Sequence, residues 1–437
     1  MRSFGVINYT YRIKDFGFKD AVRECLSFLY QFVKEVFLPE LKPRISDNLP
    51  FLTFMSSREH LFIMNDLVAK SLDYQLNKMY FFNPNFSLRP NSYNLKDQRK
   101  KLISPFKKEV RGIFRPAIKE FKLFLNHVGL SKWHAVSFSI HMYRQFSAFY
   151  YYKEVFRDKS IPYLLCEYDQ YNEIAALILA AKEEGIPTYT QTHGLLNSQF
   201  AYTPLVAENI FVWGQYHKKL LNSWGVDEAN IYVSGAVQFQ QGEDLNLNRE
   251  ALLKSYGLNQ RVISLATNPM QSEVQGALIA FVEALVSILP KEWSLVLRPH
   301  PSEQIRPYQA RLQNIGAQVF DNSQMPIQDL LGLSDIVMVW NSAFAIDALV
   351  NKIPTVHIDL KGIESEGEVI RLVAEKLMPS FSHPLALVEY IQKFEGQNAE
   401  RFCLQEEDYE RFNKVYCVAT GQEAASNIKK HLSKHIN

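Results

Sequence analysis

Short apolar segments alternate with longer amphipathic segments through most of the chain after Pro162. Two of the apolar segments, Ser294–Leu297 and Asp335–Val339, are apolar at nearly every position. A strand of this kind buries both of its faces, which is typical of a parallel sheet covered by helices on either side. The alternation therefore predicts βαβ units and an α/β fold.

The predicted strands fall into two runs along the chain. The first run is Tyr163–Cys166, Ile186–Gln191, Asn209–Val212 and Ile231–Val233, and the second is Val262–Leu265, Ser294–Leu297, Asp335–Val339 and Pro354–Asp359. One more short strand is predicted at Leu52–Met55, and helices are predicted at Glu173–Glu184 and Ser342–Val350. A final helix, from about Gln422 to His435, is long enough to cross back onto the first run.

A polar segment separates the two runs and divides the chain into two domains. At 437 residues, the chain is longer than one hydrophobic core usually supports. Gln238–Asn248 is polar and rich in loop-forming residues, so we place a linker at 238–249. The N-terminal domain then spans 1–237, with a helical and partly basic elaboration before its βα units, and the C-terminal domain spans 250–437.

Composition narrows the class of protein. A hydrophobic content of 47% and a charged content of 22% describe an ordinary globular chain, and the net charge of +2 gives no basis for nucleic-acid binding. The four cysteines lack the spacing of a zinc site or a disulfide framework. The chain shows neither a secretion signal nor an apolar run of about 18 residues. We therefore expect a cytoplasmic protein with reduced thiols.

The segment 96–122 carries ten Lys or Arg residues and three Asp or Glu residues, interleaved with large apolar side chains. A basic amphipathic segment of this type is suited to the anionic inner face of the plasma membrane. A pair of solvated surface helices that cover the domain produces the same pattern. Both interpretations remain open at this point.

Polar and cationic residues follow the strands of the second run, where ligands of parallel sheets bind. They are Asn268, Arg298, His300, Asn341 and Ser342. An arginine fork matches phosphate oxygens, and the first N–H groups of a helix that begins at Ser342 would add donors. The alternative for Asn341-Ser342 is a plain helix cap. Asp347, further along that helix, is a candidate acceptor for ribose hydroxyls, with a solvated helix acid as the alternative.

Three titratable residues follow the first two strands of the first run. Glu167 and Asp169 come after Tyr163–Cys166, and His193 comes after Ile186–Gln191, just before a glycine. A carboxylate and an imidazole on one edge of a cleft can perform general acid–base chemistry at a hydroxyl group. The sequence predicts that one of these three residues is the base, and it leaves open which one.

Several common cofactor motifs do not occur in the chain. There is no glycine-rich dinucleotide fingerprint, no phosphate loop with its lysine, no His-Glu-x-x-His and no metal-binding Asp-x-Asp. We therefore expect neither a metal ion nor a resident cofactor.

Together these motifs resemble the GT-B glycosyltransferases, in particular the bacterial enzymes that build capsule, lipopolysaccharide and teichoic acids. Thr190-Gln191-Thr192-His193-Gly194, with Val212-Trp213-Gly214, resembles the first-domain pattern of capsule polysaccharide transferases. Arg298-Pro299-His300-Pro301 resembles the His-Pro motif of bacterial sialyltransferases and polysialyltransferases. The segment from Asn341-Ser342 to Asp347 resembles the donor-phosphate segment of those families and of the CDP-glycerol polyol-phosphate transferases.

The resemblance implies two Rossmann-like domains that face each other across a cleft, and a nucleotide-sugar donor, with a CMP-linked sugar favoured. It also implies a glycan or lipid-linked glycan acceptor of a surface polysaccharide. Two other activities on the same fold are transfer of a CDP-linked polyol phosphate and epimerisation of a nucleotide sugar. A non-catalytic scaffold of a polysaccharide assembly complex is the alternative from a different class.

Overall fold

The computed structural model describes residues 161–239, 248–395 and 404–433, except 167, 170–171, 302, 361 and 364–366. It also describes most of 145–157 and three short strands near the N-terminus. In this part of the chain, the strands form two parallel sheets, one of seven strands and one of six. Each sheet belongs to one of the two runs of βα units.

The first sheet contains Leu52–Met55 (β1), Met79–Phe81 (β2), Ser92–Asn94 (β3), Leu164–Cys166 (β4), Thr188–Gln191 (β5), Asn209–Val212 (β6) and Ile231–Val233 (β7). The spatial order is β3-β2-β1-β4-β5-β6-β7, and all pairs are parallel. Its helices are Asn172–Glu183 (α1), Gln199–Tyr202 (α2) and Gln215–Ser223 (α3). Sheet order reverses at β1 and β4, as in doubly wound folds.

Apolar periodicity explains how α1 covers this sheet. Ile174, Leu177, Ile178 and Ala181 recur at helical spacing on one stripe and are buried in one core cluster with the sheet. Because both faces of β4 and β5 are covered, every residue of these two strands is buried. The first sheet therefore lies between two apolar clusters, one containing Leu164 and the other Leu165.

The second sheet contains Arg261–Ala266 (β8), Trp293–Arg298 (β9), Gln318–Val319 (β10), Ile336–Val339 (β11), Thr355–Ile358 (β12) and Ser380–Phe381 (β13), in the order β10-β9-β8-β11-β12-β13. Its helices are Arg249–Tyr256 (α4), Ser272–Ile288 (α5), Arg306–Leu312 (α6), Ile327–Leu333 (α7), Phe344–Val350 (α8), Glu368–Ala374 (α9) and Pro384–Glu395 (α10). Alternate residues of β8 and β11 belong to two core clusters, one on each face.

Two C-terminal helices, Glu406–Val415 (α11) and Gly421–Leu432 (α12), return to the first domain. The apolar face of α12, with Ala424 and Ile428, packs on the second face of the first sheet beside Tyr189 and Phe211. The predicted crossing of the final helix is thereby confirmed. Gly214, at the end of β6, approaches the backbone at the end of α11 so closely that a Cβ atom would overlap it.

Most strand predictions are confirmed, three of them to the residue: β1, β6 and β7. The structure adds β2, β3, β10 and β13, whose two or three residues are too short to produce an apolar pattern. The segment 96–122 and most of the linker at 238–249 lie outside the described residues. In the described part of the chain, no helix has the length and hydrophobicity needed to cross a membrane.

Candidate active site

Three neighbouring strands of the second sheet end at one level. The register pairs Arg298 with Ala266 and Leu265 with Met338, so β9, β8 and β11 stop in line. The side chains just past these pairs are His300, Asn268 and Asn341. Neighbouring strands lie about 4.8 Å apart, so the row spans about 10 Å. The residues that the sequence assigned to a phosphate ligand therefore lie along one edge.

Arg298 is partly buried at this edge. Its Nε atom donates to the backbone oxygen of Met325 at 2.8 Å, which fixes the direction of the guanidinium group. Burial lowers the pKa of Arg298 to about 10, and the charge of Asp321 acts in the opposite direction. The group stays protonated at neutral pH, and its terminal NH2 groups have no acceptor among the described residues. It is a fixed cation able to bind an anion.

The backbone at His300 is held by a carboxylate. The His300 N–H donates to Oε2 of Glu303 and to Oγ1 of Thr267, each at 3.1 Å. Glu303 also accepts from the hydroxyl groups of Thr267 and Tyr308. Because these donors come from the residue after β8, from α6 and from the turn itself, the His-Pro turn is fixed to the sheet edge. Sequence reasoning missed Glu303, although a carboxylate three residues after the histidine was a usable signal.

Asn268 carries a buried side-chain oxygen, Oδ1, that finds no hydrogen-bond donor in the described part of the chain. A buried acceptor without a donor costs free energy in the folded state. Such groups are uncommon in native proteins, and a donor on a bound ligand could satisfy this oxygen.

Ser342 and Asn341 follow β11. The Ser342 side chain is buried, and its Oγ atom accepts weakly from the Phe344 N–H at 3.3 Å. The N-cap of the following helix is Ala343 and has no side-chain cap, so Ser342 is not the plain helix cap of the alternative, and its hydroxyl hydrogen remains available to a ligand. Helix α8 begins two residues later than predicted and has seven residues.

Asp347 lies in the middle of α8 and is largely shielded from solvent. Burial raises the pKa of its carboxyl group from 3.8 to about 7. Its Oδ1 accepts a long hydrogen bond of 3.4 Å from the Asn351 amide. The residue is therefore neither the solvated acid of the alternative reading nor firmly ionised at neutral pH, and a ligand hydroxyl would find an acceptor whose charge depends on pH.

In the first domain, His193 lies in the loop that follows β5, two residues after its last residue. Its ring packs edge-on against Tyr168, with ring centres 4.6 Å apart, and Tyr202 lies 6.0 Å away. The hydroxyl groups of these tyrosines bond to backbone oxygens of Ala201 and Gly194. The imidazole is half-buried and positioned by aromatic contacts, as a directed general base requires.

Asp169 stands level with His193, since Cys166 pairs with Thr190 and each lies three residues further on. Its carboxylate is buried and accepts from the backbone N–H groups of Val206 at 2.7 Å and Ala207 at 3.1 Å. This is the arrangement of a group that anchors a loop. Glu167, the other predicted carboxylate, lies outside the described residues.

The two domains meet through polar contacts that sequence reasoning missed. Asn197, four residues after His193, donates to Oδ1 of Asn341 at 3.0 Å. Deeper between the domains, Nε2 of His217 lies 2.9 Å from Oε2 of Glu368, and both side chains have no solvent exposure. The local sequence around these residues carries no signal, because the partners are 144 and 151 positions apart.

A cluster of three or more metal-binding side chains does not occur among the described residues. The arrangement instead places cationic and hydrogen-bonding groups at the edge of the second sheet and a positioned imidazole at the edge of the first, and the Asn197–Asn341 contact joins the two domains. It can bind a phosphate ester and can accept a proton from a hydroxyl group.

The fold of the chain is similar to that of several solved structures. The wall teichoic acid polymerase TagF soaked with CDPG has a TM-score of 0.54 at 12% identity, over 96% of this chain and 98% of that one. S. aureus MnaA in complex with UDP gives 0.54 at 12% identity, over 89% and 96%. UDP-GlcNAc 2-epimerase from Neisseria meningitidis, bound to UDP-GlcNAc, gives 0.53 at 14% identity, over 88% and 100%.

No protein-family model and no curated sequence matches the chain. At 12–14% identity, the solved structures are evidence for the fold alone. Their fold agrees with the two parallel sheets of this chain. The chain has the GT-B fold, in which two Rossmann-like domains face each other across a cleft.

Proposed function

We propose that this protein is a glycosyltransferase that uses a nucleotide-activated sugar to extend a bacterial surface polysaccharide. The observation that carries the proposal is the row of Arg298, Asn268 and Asn341 side chains at the edge of the second sheet, joined to the His193 loop by the Asn197 contact. We propose that these anion-binding groups and the candidate base His193 face one cleft from opposite sides.

In this mechanism the second domain binds the donor. Arg298 and the His300 turn contact the phosphate, and Asn341 and Ser342 donate further hydrogen bonds. When the bond between the sugar carbon and the phosphate oxygen breaks, negative charge grows on the leaving nucleotide. A guanidinium held in place by the Met325 carbonyl stabilises that charge without having to reorganise.

The first domain brings an acceptor hydroxyl to the same carbon. His193 accepts the hydroxyl proton as the new carbon–oxygen bond forms. We favour His193 over Asp169 as the base, because the Asp169 carboxylate already holds two backbone amides and is buried. Glu167 remains a second candidate for this role. No step requires a metal ion.

A CMP-linked sugar is the donor we favour, because the His-Pro and Asn-Ser segments resemble those of the bacterial sialyltransferases. Two other activities are supported by the fold comparison: one similar structure is a teichoic acid polymerase soaked with CDPG, and another is a UDP-GlcNAc 2-epimerase. Transfer of a CDP-linked polyol phosphate and epimerisation of a nucleotide sugar are therefore the second candidate functions.

Calorimetry with CMP, CDP, UDP and GDP, followed by assays of nucleotide release from the matching sugar donors, tests the proposal. We expect binding of a cytidine nucleotide and release of CMP in the presence of a glycan acceptor. Release of CMP from a CDP-polyol, or conversion of UDP-GlcNAc without release, would establish one of the alternatives. If the cleft binds none of the four nucleotides, the proposed enzymatic activity is contradicted and the non-catalytic scaffold is supported.

Acceptors of such enzymes are often carried by membrane lipids, and the basic segment 96–122 is suited to contact an anionic membrane. We therefore propose peripheral binding at the inner membrane face. In flotation with anionic liposomes, the protein should float, and replacement of the ten basic residues by glutamine should abolish this. Flotation that is absent, or that survives the replacement, contradicts the membrane contact.

A further inference from the structure

The contact between the domains at Asn197 has a defined hydrogen-bond direction. A backbone N–H is always a donor, so the Glu368 N–H, 3.3 Å from the Asn197 side chain, must face the side-chain oxygen. The Asn197 NH2 group then points the other way, at the Asn341 side chain. The orientation of Asn197 is therefore set by the backbone at the start of α9.

The same argument extends to Asn341. Because Asn197 presents a donor at 3.0 Å, Asn341 must turn its oxygen toward Asn197. Its own NH2 group is left on the opposite side of the carboxamide, and this group has no acceptor among the described residues. At the sheet edge beside Arg298 and Asn268, a free NH2 group is a donor suited to a phosphate oxygen.

The hydrogen bonds that run from the Glu368 N–H through Asn197 to Asn341 form a relay. The close approach of the backbone supports this relay. Gly367, just before Glu368, has φ of +93°, and a Cβ atom there would overlap the Asn197 carboxamide. The following residue, Glu368, is anchored to the first domain by its buried contact with His217. The donor that starts the relay is thus fixed by the packing of the two domains.

We infer that Asn197 is a positioning residue that sets the Asn341 amide as a hydrogen-bond donor to the phosphate of the donor substrate. The inference rests on the proposed function for the identity of the ligand. It also means that the first domain, which brings the acceptor, determines how well the second domain binds the nucleotide. A domain arrangement that breaks the contact frees Asn341 to rotate and weakens phosphate binding.

Asn197→Asp is the informative substitution. The aspartate still accepts from the Glu368 N–H but has no hydrogen to donate, so Asn341 must rotate and turn its oxygen toward the phosphate. We expect CMP to bind about tenfold more weakly than to the wild type, against about threefold for Asn197→Ala, which leaves Asn341 unconstrained. Equal affinity in the two variants would overturn the relay.

Added negative charge alone would also weaken anion binding, and a second background separates the two causes. In Asn341→Ala protein, an effect caused by repulsion from the new carboxylate would persist. An effect that acts through the relay would disappear, because Asn341 is absent. The relay predicts that Asp and Ala at position 197 then bind CMP within about twofold of each other. A difference as large as in the original background would assign the effect to charge and overturn the proposal.

A readout without nucleotide distinguishes this inference from the proposed function. In full-length protein labelled with 15N-asparagine, the Asn341 side-chain NH2 signal is assigned by its loss in Asn341→Ala. The relay predicts that Asn197→Asp shifts this signal, because the amide then donates to a carboxylate. An unshifted signal overturns the relay even if CMP binds, and a shifted signal supports it even if no nucleotide binds.

Discussion

The ends of the two sheets differ in how their polar residues are used. At the edge of the second sheet, Asn268 has a buried oxygen without a donor, and Arg298 has unpaired NH2 groups in the described part of the chain. At the edge of the first sheet, the Asp169 carboxylate accepts hydrogen bonds from two backbone amides. The second edge therefore retains binding capacity for a ligand, and much of the first edge supports its own loops.

This difference shows that residues at equivalent strand ends need not share a role. Both edges satisfy the rule that ligands bind beyond the carboxyl ends of parallel strands. Only hydrogen-bond accounting separates a group that holds the fold from one that is available to a substrate. The predictions that follow test this separation, beginning with the largest expected effect.

Removal of His193 should lower turnover, whereas removal of His300 should weaken nucleotide binding. We expect His193→Ala to lower kcat by about a hundred- to ten-thousand-fold, because it removes the general base, while CMP affinity changes little. His300→Ala should weaken CMP binding by about tenfold, because it removes a phosphate contact. Titration calorimetry and single-turnover assays measure the two quantities, and equal nucleotide affinity in His300→Ala would contradict the donor-site assignment.

Removal of Asp169 and of Asn268 should separate folding from binding. Asp169→Ala leaves two buried N–H groups without an acceptor and should lower the free energy of unfolding by about 2–4 kcal/mol. Asn268→Ala removes a buried oxygen that has no donor. The free energy of unfolding should therefore change by less than about 1 kcal/mol, while CMP binding weakens. Urea unfolding followed by tryptophan fluorescence gives both values.

The outcome for Asp169 also tests the choice of base. If Asp169→Ala unfolds like the wild type but loses turnover, the carboxylate is catalytic and His193 loses its assigned role. Asp169→Asn serves as the matched control, because its oxygen still accepts from an amide and should restore part of the stability.

Asp347 should affect the pH dependence of stability, by less than the loss of Asp169 affects stability itself. Its folded-state pKa of about 7 lies above the ordinary value of 3.8, so the folded protein binds this proton more tightly than the unfolded chain. Stability contributed by the protonated group is present below pH 4 and is lost as pH rises toward and through 7. We expect Asp347→Asn to remove about 1–3 kcal/mol of that loss. Unfolding of both proteins by urea at pH 5 and pH 8 measures it, and parallel pH profiles would refute the shifted pKa.

The apolar pattern predicted central strands such as β4, β5 and β11 well because every residue of these strands is buried. β6 and β7 match their predicted limits, and β1 does so despite its distance from the other strands in sequence. The sequence did not predict β10 and β13, because each has only two residues. Each is also an edge strand, which pairs on one side only and needs no apolar run.

At the site, the sequence identified strand ends but could not assign hydrogen bonds. It placed Arg298, His300 and Asn341 on one edge because the ends of parallel strands are fixed by topology. It gave Asp169 and His193 similar roles, because both lie within three residues of the end of a strand. The amides that occupy Asp169 come from residues 37 and 38 positions away, a separation at which local pattern carries no information.

The sequence by itself determined two runs of βα units, the edge at which we propose that a ligand binds and the residue types that suit a phosphate. These follow from periodicity and strand order, which are properties of neighbouring residues. Only the tertiary structure decided that Asn197 meets Asn341, that His217 is buried against Glu368 and that α12 covers the first sheet. Such contacts depend on how distant surfaces fit in three dimensions, and no short segment of the chain encodes that fit.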